Sequence, residues 1–207
     1  MSLFPNLRAD VARQHHFAGR QIPPEAVSLG QVAAALFSPR FAPVALFRTA
    51  YWCGQHHLRP LGKLVSMVNM VLFGLEIGLD CEIGPGLFFP HTSGTVLGAR
   101  RIGRNAVIYH NVTVGAKFPD LTFDRTVRPD IGDDVFLGAG AKVLGSITLQ
   151  DRVVVAANCV VVHDVPADSL VAGVPGRLVP KGQPGDATPL DDQVGCPDGN
   201  RPGQSGT

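Results

Sequence analysis

The chain places an apolar residue at every sixth position through residues 131–166, and this period constrains its fold more than any other feature. Written in sixes, the stretch reads IGDDVF, LGAGAK, VLGSIT, LQDRVV, VAANCV and VVHDVP. An α-helix repeats its buried face about every 3.6 residues and a strand about every 2. A period of six matches neither element. It is typical of short strands and turns that stack, three blocks to a coil, into a parallel β-helix.

Towards the N-terminus the six-residue step continues in two runs of apolar residues. The runs are Val114, Ile108, Ile102 and Val96, then Phe89, Ile83 and Ile77. Because Phe89 and Val96 are seven residues apart, we expect one inserted residue in the turn that contains His91, with Val96 pointing inward. The segment GAKFPDLTFDRTVRPD breaks the repeat, so residues 115–130 are predicted to leave the prism as a long loop of functional importance.

The two ends of the chain lack the repeat. Residues 1–74 combine apolar residues at helical spacing with six prolines, which predicts short α-helices that cover the open end of the β-helix. Residues 182–207 are rich in Gly, Pro and Asp and are expected to be disordered. The predicted fold class is therefore mainly β, a parallel β-helix over residues 75–181 preceded by an α-helical segment.

Composition excludes several classes of function. With 207 residues, a net charge of +1 and no basic run, the chain is expected to be one globular unit that does not bind nucleic acid. Its longest apolar run, residues 64–75, is interrupted by Ser66 and Asn69, so we expect no integral membrane segment and a cytoplasmic location. The scattered residues Cys53, Cys81, Cys159 and Cys196 are expected to act as small hydrophobes.

Two of the seven histidines have a position that indicates chemistry. His91 and His110 both take the third place of their blocks, so they should lie on one outer face in adjacent coils, about 4.8 Å apart at the backbone. Glu76 closes the block beneath, on the same face by the same count. A carboxylate near an imidazole fixes its tautomer and supports its cation, which a general base needs.

Four segments together resemble the serine O-acetyltransferase branch of the hexapeptide-repeat acyltransferases. They are LEIGLDCEIGPGLFFPHTSGTVLG, VIYHNVTVG, IGDDVFLGAGAKVLGSI and VPADSLVAGVPGRLV, and the likeness covers about residues 70–181. The resemblance implies a left-handed β-helix, acetyl-CoA as acyl donor, and a homo-oligomer, either a trimer or a dimer of trimers, with active sites between chains. It also implies that His91, in the HxxG turn, is the general base and that Glu76 stands where the family has an orienting aspartate.

The resemblance implies further site residues. For the cofactor these are Ala116, Lys117, Ala139, Ala157, Gly173, Val174 and Pro175. For the acceptor the candidates are Arg128, whose guanidinium could bind a carboxylate, and His110, which either hydrogen-bonds the acceptor or the loop or is a surface residue. No metal is expected. The acceptor is a small molecule with a hydroxyl, either L-serine, a related amino acid or a sugar. Where the family grips serine with an aspartate and an Arg-His pair, this chain has Pro90, Val127 and Arg128, and Val154 replaces a family lysine at the cofactor.

Two other classes of function share this prism. A metal enzyme of the γ-carbonic-anhydrase type would use histidines between chains, but His91 and His110 have no well-placed third partner in the sequence. A non-catalytic assembly protein would have no use for His91, Glu76 and a groove of small residues. For the charged side chains of the first helix, Arg8, Asp10 and Arg13, we expect a solvated face, and for His163 a surface position.

Overall fold

The computed structural model describes residues 3–180, so the predicted disorder of residues 182–207 lies outside the described part. Within it, four α-helices precede the strands. They are α1 (Leu3–Phe17), α2 (Leu29–Ala35), α3 (Ala42–Gln55) and α4 (Arg59–Phe73), with a short 3₁₀ turn at Pro24–Ala26. Ser28 caps α2 in a capping box with Gln31, and Gly74, with φ of 62°, ends α4 and leads into the first strand.

The strands are short and follow one another at the spacing of the repeat. They are β1 (Leu75–Ile77), β2 (Glu82–Ile83), β3 (Thr95–Leu97), β4 (Arg101–Ile102), β5 (Val107–Ile108), β6 (Thr113–Gly115), β7 (Asp130–Ile131), β8 (Phe136–Leu137), β9 (Lys142–Leu144), β10 (Thr148–Leu149), β11 (Val154–Val155), β12 (Val160–Val161), β13 (Leu170–Ala172) and β14 (Arg177–Val179).

These strands form the three faces of a prism. Sheet A has the order β1-β3-β6-β9-β12, sheet B the order β2-β4-β7-β10, and sheet C the order β5-β8-β11-β13-β14. All pairs are parallel except β13 with β14, which form an antiparallel hairpin. Successive strands of one sheet come from successive coils, so the chain runs around the prism as the sixfold period predicts.

The prism is filled by one apolar side chain from each strand of each coil. Ile131, Leu137, Val143, Leu149, Val155 and Val161 all have at most 1% of their surface exposed. Burying a side chain of this size contributes roughly 1.5–3 kcal/mol, and β-branched residues suit the pleated wall. Cys53, Cys81 and Cys159 are buried free thiols, as predicted for small hydrophobes, and Cys196 lies outside the described residues.

The expectation that Val96 points inward is wrong. Val96 is 38% exposed and Leu97 only 1%, and Leu97 pairs with Ile77 and Val114 in sheet A. The turn after Phe89 therefore contains two inserted residues rather than one, and the next step, from Leu97 to Ile102, is one residue short. Because Val96 and Leu97 are both aliphatic, hydropathy alone does not show which of the two faces the interior of the prism.

The loop over residues 115–130 leaves the prism as predicted. Ile131 pairs with Ile102 in sheet B and Val143 pairs with Val114 in sheet A. The seventeen residues from Val114 to Ile131 thus take the place of one six-residue step. The surplus chain forms a projecting loop that contains a 3₁₀ turn at Arg125–Val127.

A buried ion pair joins the helices to the first coil. Arg48 of α3 donates from Nε and Nη2 to the Asp10 carboxylate at 2.8 and 2.9 Å, and from Nη1 to the Ile83 carbonyl oxygen at 2.6 Å. Asp10 Oδ1 also accepts from the backbone N–H groups of Gly86 and Leu87 at 2.9 and 2.8 Å. The expected solvated face is thus wrong for Asp10, whose residue is 1% exposed.

Helix α4 exposes its apolar side. The residues that face α3 are small or polar: Gly62 lets the helices cross closely, and Asn69 donates to the Pro43 carbonyl oxygen at 3.0 Å. The opposite face carries large apolar side chains that are 37–72% exposed, namely Leu61, Leu64, Met67, Val68, Met70, Val71 and Leu72. A patch of this kind marks an interaction surface. Among the helices of residues 3–180, none is long and apolar enough to cross a membrane.

Breaking the buried ion pair is expected to destabilise the fold strongly. In Arg48→Met, the Asp10 carboxylate and the Ile83 carbonyl oxygen lose their buried partner, so the free energy of unfolding should fall by about 3–5 kcal/mol. Arg59→Met is the matched control, because Arg59 pairs with Asp80 at 2.8 Å with side chains 53% and 37% exposed. That change should cost about 0–1 kcal/mol. Urea denaturation measures both, and equal losses would contradict the assigned role of the Asp10–Arg48 pair.

Candidate active site

One corner of the prism, where sheet C turns into sheet A, collects several of the predicted site residues. We call it the histidine corner and define it by His91, His110, Ala139 and Ala157, one from each successive coil. The turns are linked by backbone hydrogen bonds: Asn111 N–H to Ser93 O at 2.9 Å, Gly140 N–H to His110 O at 2.9 Å, and Asn158 N–H to Ala139 O at 2.8 Å.

Glycine and asparagine set the geometry of this corner. Gly94, Asn111, Gly140 and Asn158 have φ of 72°, 56°, 75° and 56°, in the left-handed region that glycine and asparagine tolerate best. A Cβ at Gly94 or Gly140 would overlap the side-chain oxygen of the asparagine in the next coil. Glycine and asparagine therefore alternate from coil to coil in this turn, and each glycine leaves room for the asparagine of the next coil.

The two imidazole rings are in contact. The ring centroids of His91 and His110 are 5.7 Å apart with an interplanar angle of 82°. The ring centroid of Tyr109 lies 6.5 Å from that of His91. This confirms the predicted stacking of the two histidines. His91 is exposed and neither of its ring nitrogens has a hydrogen-bond partner within residues 3–180, whereas Nδ1 of His110 is buried and has no partner in the same part of the chain. The His91 ring is therefore accessible to a ligand, whereas Nδ1 of His110 is enclosed by protein.

Two threonines beside His91 hold its turn, and the sequence analysis missed both. Thr92 Oγ1 donates to the Phe73 carbonyl oxygen at 2.8 Å, and Thr95 Oγ1 donates to the Tyr109 carbonyl oxygen at 3.1 Å. The first bond ties the turn to the end of α4, and the second ties it to the turn of His110. The sequence feature that could have indicated them is the pattern HTSGT, in which two threonine hydroxyls lie in the turn with the inserted residues.

Glu76 lies on the outer face of sheet A in the first coil. It is exposed, it pairs in register with Val96, and within residues 3–180 its carboxylate forms no hydrogen bond or ion pair. The single chain therefore leaves Glu76 and His91 on the same side of the prism without a direct bond between them. The orienting role of Glu76 stays a prediction.

A second corner, where sheet A turns into sheet B, holds the other predicted cofactor residues. Ala116 and Lys117 begin the loop here, and the Gly145 N–H bonds to Gly115 O at 2.9 Å. We call it the loop corner. Three-residue strands of sheet A separate it from the histidine corner, and at about 3.3 Å per residue the two corners lie roughly 10 Å apart. Within one chain, the predicted cofactor residues are thus divided between two edges of sheet A.

Arg128 anchors the loop. Its Nη1 donates to the Gly98 carbonyl oxygen at 2.9 Å, its Nη2 donates to Asp120 Oδ2 at 2.6 Å, and its guanidinium lies 3.9 Å from the centroid of the Phe123 ring. The Arg128 side chain is only 9% exposed. Binding of a substrate carboxylate by Arg128 stays a prediction, and it would require the guanidinium to leave some of these partners.

Asp120 is the centre of the loop. The Thr122 hydroxyl and then the Arg128 guanidinium, together with the N–H groups of Thr122 and Asp124, lower the pKa of Asp120 from 3.8 to about 2. Because the folded carboxyl has the lower pKa, its ionised form stabilises the loop above pH 3.8, and this contribution disappears as the pH falls through about 2. At neutral pH the ionised Asp120 therefore accepts all of these hydrogen bonds within the loop.

The last predicted cofactor residues form the turn of the β13–β14 hairpin. Gly173, Val174 and Pro175 are exposed and continue the histidine corner by one coil, since the Ala156 N–H bonds to Val171 O at 2.9 Å and the Val160 N–H to Gly173 O at 3.1 Å. Within residues 3–180, no cluster of three or more His, Cys, Asp or Glu side chains is arranged to hold a metal ion.

Comparison with known proteins agrees with this geometry. The family described as "Bacterial transferase hexapeptide (six repeats)" matches residues 128–163. The serine acetyltransferase of Synechococcus elongatus is 36% identical over 142 residues, which are 68% of this chain and 57% of the relative. The solved structure of soybean serine acetyltransferase complexed with serine is 32% identical, with a TM-score of 0.69, and the match covers 84% of this chain and 70% of that chain.

The chain belongs to the serine acetyltransferase family of hexapeptide-repeat proteins. The predicted fold class, a left-handed parallel β-helix preceded by α-helices, is thereby confirmed. A serine acetyltransferase of Brucella abortus strain S19, solved in complex with coenzyme A, is 27% identical with a TM-score of 0.69, covering 84% of this chain and 66% of that chain. The matched region spans little more than half the length of the Synechococcus relative.

The Asp120 network gives a measurable titration. In a ¹³C NMR titration, the carboxyl of Asp120 is expected to show a midpoint of about 2 rather than 3.8. Thr122→Val removes the hydroxyl bond at 2.7 Å and should raise this midpoint towards 3.8. Thr126→Val is the control, because that hydroxyl bonds to Asp124 at 2.7 Å and should leave Asp120 unchanged. A wild-type midpoint near 3.8 would refute the network.

Proposed function

We propose that the protein is an acetyl-CoA-dependent O-acetyltransferase that acts on the hydroxyl of a small acceptor, with L-serine as the first choice. The observation that carries the proposal is the contact between the His91 and His110 imidazoles at the histidine corner, which have no hydrogen-bond partner within residues 3–180, on the fold of the serine acetyltransferase family. The relatives named as serine acetyltransferases support both the reaction and the acceptor.

His91 acts as the general base. Its exposed ring accepts the proton of the acceptor hydroxyl while that oxygen attacks the thioester carbonyl carbon. The C–S bond then breaks, and the imidazolium of His91 returns the proton to the thiolate that leaves. The acetyl group passes directly to the acceptor, so no covalent enzyme intermediate is needed. Glu76 orients the imidazole and supports its cation, and His110 donates a hydrogen bond to the acceptor.

The histidine corner has the form that an extended cofactor requires. From His91 to Gly173 it spans four coil spacings of about 4.8 Å, or about 19 Å in all. Ala139 and Ala157 carry no large side chain, so backbone groups are within reach of a bound amide chain. Acetyl-CoA would lie with its thioester at the histidines and its nucleotide beside Gly173, Val174 and Pro175.

The division of the cofactor residues between two corners supports a site shared by two chains. In this arrangement the histidine corner of one copy faces the loop corner of the next, with Ala116 and Lys117 completing the groove. A closed ring of such contacts gives a homo-oligomer, with the trimer as the simplest case. The exposed apolar side chains of α4 support self-association, as do Phe118 and Leu121 in the loop, which are 80% and 102% exposed.

A second acceptor class is a sugar hydroxyl. Arg128 is occupied by Asp120 and by the Gly98 carbonyl oxygen, and Pro90 stands where the family has an acidic residue, so two parts of the expected grip on a zwitterion are engaged or missing. A neutral polyol needs neither the free guanidinium nor the acidic residue, because it carries no charged groups. This observation favours testing sugars beside serine.

Activity is measured as release of thiol from acetyl-CoA in the presence of L-serine, L-homoserine or hydroxyl-bearing sugars. We expect turnover with one of these acceptors, and His91→Ala should lower kcat by about 10²- to 10⁴-fold, the usual contribution of a general base. His56→Ala is the matched control, since His56 lies at the end of α3 and should leave turnover unchanged. Absence of both turnover and CoA binding in the wild-type protein would refute the proposal.

The oligomer is tested separately. Light scattering on the purified protein should give a multiple of the chain mass of 21.9 kDa. Leu64→Glu combined with Val71→Glu places two charges on the apolar face of α4, and it should reduce the mass and with it the activity. Lys63→Glu, a charge change at an already charged residue of the same helix, should change neither. A monomeric wild-type protein with full activity would contradict the shared site.

A further inference from the structure

The turn of the β13–β14 hairpin is folded back over the last coil of sheet A. The Val160 N–H bonds to Gly173 O at 3.1 Å, and the Gly176 N–H bonds to Val160 O at 2.7 Å. A Cβ at Gly176 would lie 2.9 Å from both Cys159 Sγ and Val171 Cγ1, so only glycine allows this close approach. The ends of the turn are thus fixed, while Val174 between them is 72% exposed.

His163 reaches this turn from the coil beneath. Its Nε2 lies 2.9 Å from the Gly176 carbonyl oxygen, and its Nδ1 lies 3.1 Å from the carbonyl oxygen of Asp164. A carbonyl oxygen only accepts hydrogen bonds and a neutral imidazole donates from one nitrogen, so we assign the proton to Nε2, which makes the shorter contact, and no hydrogen bond from Nδ1 to Asp164. Arg177 Nη1 donates to the same Gly176 oxygen at 3.1 Å, but Arg177 belongs to the hairpin itself. The His163 ring therefore links the hairpin to the prism. The expectation of a plain surface histidine missed this contact.

The contact between His163 and Gly176 is important because the turn contains predicted cofactor residues. Gly173, Val174 and Pro175 are the residues assigned to the nucleotide end of acetyl-CoA. A ligand that binds to a mobile segment loses affinity because it must order that segment. A side chain that holds the turn in place before the ligand arrives therefore strengthens binding without touching the reacting atoms.

We propose that His163 is a positioning residue for acetyl-CoA, acting through the Gly176 carbonyl oxygen. The inference rests on the proposed function, since it assigns a role within the same cofactor site. It separates His163 from His91 and His110: the latter two serve the chemical step, and His163 serves cofactor affinity alone.

The test compares three substitutions of His163. His163→Phe keeps a ring but removes the donor, and should raise the Kd of CoA and the KM for acetyl-CoA by about three- to tenfold, with kcat within about twofold of wild type. His163→Gln places an amide N–H close to the position of Nε2 and should restore most of the affinity. His163→Asn places its amide near Nδ1 instead and should behave as His163→Phe does. His56→Phe is the control, because His56 also bonds through Nδ1 to a carbonyl oxygen, that of Trp52 at 2.8 Å, but far along the chain from the turn.

Calorimetric titration with CoA alone separates the possible results. Wild-type binding, with weaker binding in the Phe and Asn variants and recovery in the Gln variant, would support the positioning role. Equal Kd values in all four proteins would overturn it while leaving the acetyltransferase proposal intact, and so would a Gln variant as weak as the Phe variant. A wild-type protein that does not bind CoA would overturn both. Should the Phe variant fail to fold, the contrast between Gln and Asn decides the same question.

Discussion

The buried ion pair between Asp10 and Arg48 is the interaction on which the stack of coils depends. A parallel β-helix has an open end where apolar interior and unpaired strand groups would meet water. In this protein the ion pair satisfies backbone groups at that end. Arg48 donates a hydrogen bond to the carbonyl oxygen of Ile83, and Asp10 accepts hydrogen bonds from the N–H groups of Gly86 and Leu87. The first coil is thereby fixed against the helices. Each later coil is aligned by the one before it, because the strands pair in register.

The position of His91 also depends on contacts with neighbouring elements. The turn that presents His91 rests on the end of α4 through Thr92 and on the turn of His110 through Thr95. A single chain therefore positions the proposed base, but it holds the two sets of predicted cofactor residues at separate edges of sheet A. The loop at the opposite edge of sheet A is anchored by Arg128 and Asp120. This division explains why one protein can be stable as a prism and still require a neighbour for its proposed reaction.

The repeat period predicted most of the fold and part of the site. The sixfold phase correctly placed His91 beside His110, because any two residues one coil apart in the same place of the repeat must stack. It misplaced Val96, because the neighbouring Leu97 is equally apolar and nothing local marks a second inserted residue. It did not predict the burial of Asp10 either, because its partner Arg48 lies 38 residues away and a lone acidic residue on a helix usually faces water. Contacts made at a distance in the chain, such as His163 with Gly176, leave no periodic signal.

The stacked Gly94 and Asn111 have a consequence for how this sequence can change. Gly94 is exposed, and exposed positions ordinarily vary freely, yet any side chain there would overlap the Asn111 oxygen. Position 94 therefore depends on position 111: a side chain at 94 requires a smaller or differently placed side chain at 111. Changes in the surface beside His91 must proceed through residues without such a partner. Ser93 is the nearest of these: its side chain is exposed, and the bond that aligns its turn is made by its backbone oxygen.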